Sequence, residues 1–61
     1  MQGVIKWYNK KKGYGFISGE DGEDYFFHFS EVKNNVILDK DVDVEFDPAH
    51  TTKGKQAQNI L

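Results

Sequence analysis

The segment Asp24-Tyr25-Phe26-Phe27-His28-Phe29 constrains this chain more than any other. Its aromatic run reads as a β-strand, and in a strand neighbouring side chains point to opposite faces. Tyr25 and Phe27 therefore face one way, and Phe26 and His28 face the other. Both sets cannot enter one core. In a large protein a layer of helices covers the second face, but in 61 residues nothing is left to do so. Tyr25 and Phe27 are read as core, and the face carrying His28 as exposed. Tyr14 and Phe16 follow the same logic one strand earlier, with Gly13, Gly15 and Ile17 on the opposite face. Pairing the two strands puts Tyr14, Phe16, Phe26 and His28 on one surface.

The rest of the chain is all-β in character, with no helix of useful length. Glycines, Asn/Asp clusters and β-branched or aromatic residues punctuate it throughout. Five strands are expected, over residues 2–9, 14–18, 23–29, 41–47 and 56–60. Gly19-Glu20-Asp21-Gly22 has hairpin chemistry, because its glycines tolerate positive φ. The strict alternation from Asp41 to Asp47 places Val42, Val44 and Phe46 on one buried face. Residues 30–40 read as a connection with one short helical turn, and Pro48 with the polar stretch 50–54 as a flexible loop. Five short strands suggest a small closed barrel, which removes aggregation-prone sheet edges.

At this length the chain is expected to form one domain over residues 1–61. There is no cysteine, and two histidines are too few for a zinc cluster, so no metal or cofactor is expected. No apolar run approaches the roughly 18 residues of a membrane span, and the N-terminus lacks the basic-then-apolar pattern of a secretory signal. The expectation is a soluble, cytoplasmic monomer. No nucleophile stands beside a plausible base and no Gly-rich phosphate loop occurs, so an enzyme is not expected.

The net charge of -2 argues weakly against a nucleic-acid partner, but its distribution matters more. Residues 1–17 hold Lys6, Lys10, Lys11 and Lys12 and no acid. Residues 18–47 hold all ten acids and only Lys33 and Lys40; residues 48–61 hold Lys53 and Lys55. Of the nine aromatics, eight lie between Trp7 and Phe29, beside the basic block. An exposed apolar patch usually marks a binding site. Every nucleobase has a π-face, and stacking contributes about 1–3 kcal/mol per base. Bases inside a duplex are already stacked, so the expected partner is single-stranded RNA or DNA. Four stacking positions give a gross gain of about 4–12 kcal/mol. Four or five lysine–phosphate contacts give a log–log salt slope near -3, or roughly 2.5 kcal/mol between 50 and 200 mM salt. Stacking dominates on these numbers. The acids Glu20, Asp21, Glu23 and Asp24 read as a solvated hairpin that repels phosphate from one edge.

Two other readings compete. A β-barrel peptide module with an aromatic groove for proline-rich segments explains the rings but leaves the lysines unexplained. An RNA-recognition motif of the α/β type shares the Lys-Gly-Tyr-Gly-Phe pattern but needs two helices and an earlier second motif. Each residue also has a bland reading. Trp7 alone is more often core, His28 alone an ordinary surface histidine, and Lys10–Lys12 a solvated turn. The signal lies in their coincidence.

Three ordered motifs resemble the cold-shock domain family. Lys6-Trp7-Tyr8-Asn9 is similar to its Lys-Trp-Phe-Asn pattern. Lys12-Gly13-Tyr14-Gly15-Phe16-Ile17 resembles its ribonucleoprotein-1-like motif Lys-Gly-Phe-Gly-Phe-Ile. Tyr25-Phe26-Phe27-His28-Phe29-Ser30 resembles its second motif, an apolar residue followed by Phe-Val-His-Phe-Ser. The resemblance covers essentially the whole chain. It implies a five-stranded antiparallel barrel of the oligonucleotide-binding (OB) type. It also implies single-stranded RNA and DNA binding, with RNA-chaperone or regulatory roles in transcription, translation and the stress response. Carried over by position, the implied binding surface is Lys6, Trp7, Lys12, Tyr14, Phe16, Phe26, His28 and Phe29. Parity alone places Phe29 with Tyr25 and Phe27; the resemblance puts it partly on the surface. Residues 33–40 lack the aromatic that the family often carries there. Phe27 replaces a smaller aliphatic residue, so the core is expected to repack around it.

Overall fold

The computed structural model describes residues 1–33 and 35–61 and is all-β, of the OB type. The strands are β1 (Gln2–Asn9), β2 (Tyr14–Gly19), β3 (Asp24–His28), β4 (Asp43–Glu45), β5 (Asp47–Thr51) and β6 (Gly54–Gln58), with a 3₁₀ turn at Phe29–Glu31 after β3. They form a single sheet in the order β4-β1-β2-β3-β6-β5. The two edge strands, β4 and β5, are consecutive in the chain and separated only by Phe46, so the sheet must curl. No ladder joins them among the described residues. Instead Leu61 and Glu45 exchange backbone hydrogen bonds of 2.8 and 3.1 Å, which tie the chain's end across the gap.

One face of the curl is the core. Ile5, Ile17, Tyr25, Phe27, Val44, Phe46, Ala57 and Ile60 are all buried there. The alternation expected in β2 and β3 holds: Ile17, Tyr25 and Phe27 point inward, and Phe16 and Phe26 do not. Val44 and Phe46 are buried and Val42 is half-buried against them. Tyr8 stacks on Phe27 at 5.8 Å and 15°, filling space beside the large ring.

Two elements of the sequence reading need correction. First, there are six strands, not five, because residues 48–51 are paired rather than looped. β5 is an antiparallel partner of β6, with Pro48 opposite Ala57. As an edge strand it tolerates a residue with no N–H to donate. Only Ala49 of β5 is even half-buried, so no period-two pattern betrays the strand. The turn is closed by Thr51, whose Oγ1 donates to the Gly54 carbonyl and accepts from the Lys53 N–H. Second, the sheet is not wholly antiparallel. β3 meets β6 in parallel through Phe26 and Gln56, and Val32 meets Ile60 likewise. The fourth strand is also shorter than its alternation suggests, since Asp41 sits at φ 68° and breaks it.

One irregularity decides where the site lies. Along β1 and β2 the pairing runs Ile5 opposite Ile17, then Trp7 opposite Phe16, which leaves Lys6 as an extra residue in a β-bulge. Without the bulge, Trp7 would share the inward face with Ile5. With it, Trp7 joins Phe16 outside, and Tyr8 takes the inward position opposite Gly15. Glycine is required there, because a Cβ on Gly15 would lie 2.3 Å from the Trp7 carbonyl oxygen.

The β2–β3 hairpin is secured by Asp21. Its carboxylate accepts a 2.6 Å hydrogen bond from the Tyr25 hydroxyl and a 3.0 Å bond from the Glu23 N–H. The hydrogen bond to Asp21, followed by burial, pushes the Tyr25 phenol up from 10.0 to about 12. The same bond, with that from Glu23, lowers the Asp21 carboxyl. A raised phenol means the neutral form stabilises the fold below pH 10, and this contribution is lost as pH rises toward 12. Urea midpoints are therefore expected to fall across that window in the parent and to fall less in Tyr25→Phe. Parallel pH curves for the two proteins would refute the role given to this bond.

Candidate functional site

The outward face of β1–β3 carries a closed cycle of touching rings. Trp7 meets Tyr14 at 5.7 Å and Phe16 at 5.5 Å. Phe26 meets Tyr14 at 5.6 Å and Phe16 at 5.8 Å. The sheet sets this arrangement, since Tyr14 lies opposite His28, and Phe16 lies between Phe26 on β3 and Trp7 on β1. Trp7 is 39% exposed, while Tyr14, Phe16 and Phe26 are each half-buried by their neighbours. Trp7–Tyr14 and Phe16–Phe26 meet edge-on, an arrangement that aromatic pairs prefer, and the other two pairs are tilted.

His28 and Phe29 extend the cycle at one end. His28 is exposed and its Nδ1 accepts from the Ser30 N–H at 3.2 Å, which fixes the ring and caps the following turn. Phe29 is 54% exposed and 4.7 Å from the His28 ring. Strand parity stops at His28, where β3 ends, and this is why Phe29 escapes the core. Its ring lies over Gly13, whose φ of +73° closes the β1–β2 turn and where a Cβ would sit 2.6 Å from the ring. The turn itself is held by Asn9, whose carbonyl accepts from the Gly13 N–H and whose Oδ1 accepts from the Lys12 N–H. That turn presents Lys10, Lys11 and Lys12 to solvent beside the Tyr14–His28 end.

The structure thus gathers Trp7, Tyr14, Phe16, Phe26, His28 and Phe29 on one outward surface, with Lys12 at its border. Lys6 is placed differently. The bulge turns it outward beside Trp7, but its Nζ is 2.9 Å from Asp24 Oδ2. The acids of the hairpin are solvent-exposed, as the sequence suggests, and each also has a partner. Asp24 holds Lys6, Glu23 holds Lys55 at 3.1 Å, Asp21 holds Tyr25, and Glu20 accepts from the Gln2 N–H.

A second part of the surface adds Lys53, Lys55 and Gln56, which were not picked from sequence, to Phe16 and Phe26, which were. An open groove of about 580 Å³ runs from Phe16 and Phe26 to Lys53, Lys55 and Gln56. It exists because β6 pairs with β3 at Phe26. The available signal was the acid-free tail with its Lys53-Gly54-Lys55 sequence, but its position beside Phe26 depends on a parallel, long-range pairing.

Comparison with known proteins places this geometry among relatives. A family model for the 'Cold-shock' DNA-binding domain matches residues 1–61. The cold shock-like protein CspC of Bacillus cereus is 44% identical over 100% of this chain and 97% of its own length. The major cold shock protein of Streptococcus pyogenes is 46% identical, covering 97% of this chain and 91% of that protein. Among solved structures, Drosophila Unr CSD456 superposes with a TM-score of 0.73 at 30% identity. That match covers 97% of this chain but only 24% of the Drosophila chain.

Proposed function

This chain belongs to the cold-shock domain family, whose members bind nucleic acid, and from that premise we propose that it acts as one domain that binds single-stranded RNA or DNA by base stacking. The observation that carries the reading is the four-ring cycle of Trp7, Tyr14, Phe16 and Phe26 on the outward face of a sheet whose other face already holds a complete core. These rings are not needed inside, and each touches two others. His28 and Phe29 prolong the stack, and Lys10–Lys12 supply charge for phosphates at that end. A protein that holds bases on such a face keeps RNA from pairing with itself, which supports an RNA-chaperone or regulatory role.

The balance of forces follows from the pairing of the lysines. With Lys6 and Lys55 occupied by acids, four lysines remain beside the stack among the described residues: Lys10, Lys11 and Lys12 in the β1–β2 turn and Lys53 on the groove. Three or four phosphate contacts give a log–log salt slope of about -2 to -3 on a single strand. Stacking of even three bases at about 1–3 kcal/mol each exceeds that contribution at physiological salt. A labelled oligonucleotide tested single-stranded, as its duplex and against a proline-rich peptide separates the readings. Strong preference for the single strand is the expected result. Equal binding to the duplex would remove stacking from the account, and binding of the peptide alone would replace the ligand class.

A further inference from the structure

The two ion pairs at the start of β3 lie on the same border of the stack. Asp24 reaches across to Lys6 on β1, and Glu23 reaches across to Lys55 on β6. Both lysines flank Phe16 and Phe26, one at the bulge beside Trp7 and the other in the groove lined by both rings. At the opposite end, none of Lys10, Lys11 and Lys12 is in an ion pair among the described residues. The surface is therefore electrostatically lopsided: among the described residues three cations outside any ion pair stand at the Tyr14–His28 end, whereas at the Phe16–Phe26 end two of the three, Lys6 and Lys55, are neutralised and only Lys53 is not.

Resting on the single-strand reading above, we propose that Asp24 and Glu23 are specificity-setting latches that hold Lys6 and Lys55 away from the nucleic-acid backbone. The Phe16–Phe26 end then recognises bases mainly through stacking, with only Lys53 outside an ion pair to draw phosphate, while the Lys10–Lys12 end anchors the strand. The pairs are partly exposed, with Lys6 at 55% and Asp24 at 45%. Exposed pairs of this kind are weak, so a phosphate competes with the carboxylate for the lysine rather than being barred from it. The consequence is discrimination. A ligand that offers phosphate but poor stacking gains little at this end, so unspecific attachment to any polyanion is suppressed without loss of affinity for stacked bases.

The test is the salt dependence of oligothymidine binding. The parent slope is expected between about -2 and -3, and Asp24→Asn, by freeing Lys6 for one phosphate, is expected to steepen it by about 0.7. Glu23→Gln should add a similar increment through Lys55. Each increment means that a tenfold drop in salt brings about a 5-fold further gain in affinity. The same substitutions should strengthen binding of duplex DNA, which the parent discriminates against. Two controls isolate the latch from simple loss of negative charge. Asp43→Asn removes an exposed acid that forms no ion pair among the described residues and should leave the slope unchanged. Asp24→Asn placed in a Lys6→Gln background should do the same. An unchanged slope in Asp24→Asn, or an equal steepening without Lys6, overturns the latch while leaving the single-strand reading intact. A folded parent that binds no oligothymidine at any salt overturns both.

Discussion

Phe27→Ala is expected to leave the protein unfolded or within a few degrees of unfolding at room temperature. Phe27 is 1% exposed, the largest of the fully buried side chains together with Phe46, and packed against Tyr8 and Gly15. Removing a buried phenylalanine ring costs about 3–5 kcal/mol, since the cavity collapses only in part. A chain of 61 residues has a total stability of only about 3–9 kcal/mol, so this loss consumes most of it. With no cysteine, there is no disulfide to offset it. In a thermal melt followed by circular dichroism the midpoint should drop by about 12–40 °C. A midpoint close to the parent's would mean that the inward and outward faces of β3 are exchanged.

Its neighbour should behave in the opposite way. Phe26→Ala is expected to fold and to lose about 1–3 kcal/mol of single-strand affinity, roughly 5- to 150-fold. Phe26 is half-buried on the outward face, where it touches Tyr14 and Phe16 rather than the core cluster. Its removal opens the stack to water instead of creating a cavity. A modest fall in stability is consistent with the lost ring contacts. Unchanged affinity in the folded variant would take Phe26 out of the binding surface. The contrast between two adjacent phenylalanines, one carrying stability and one carrying binding, is the sharpest consequence of strand alternation in this protein.

How far the sequence discloses this depends on what each residue must satisfy. Tyr25, Phe26, Phe27 and His28 could be sorted by parity because both faces of β3 are aromatic and only one core exists. Tyr14 and Phe16 followed because β2 pairs with β3 in simple antiparallel register. Trp7 could not be sorted in this way. Its outward position depends on the bulge at Lys6, and the bulge in turn depends on Gly15 admitting the Trp7 backbone. β5 was illegible because an edge strand that buries almost nothing has no hydrophobic period to read. The engagement of Lys6 and Lys55 was hidden for a different reason: each pair joins residues far apart in the chain, brought together by the strand order β1-β2-β3-β6. Composition showed an acidic middle and basic ends, but not that the two neutralise one another across β3.

On this reading rings, rather than charges, hold the ligand. Trp7, the only tryptophan and a member of the ring cycle, reports on it directly. Its fluorescence should be titrated with short oligothymidine and oligoadenine at low and at raised salt. Saturable quenching is expected, surviving raised salt with only the modest weakening of a slope between about -2 and -3. Binding that disappears at moderate salt, or that saturates without any change in Trp7 emission, would show that lysines hold the strand and that the outward rings do not.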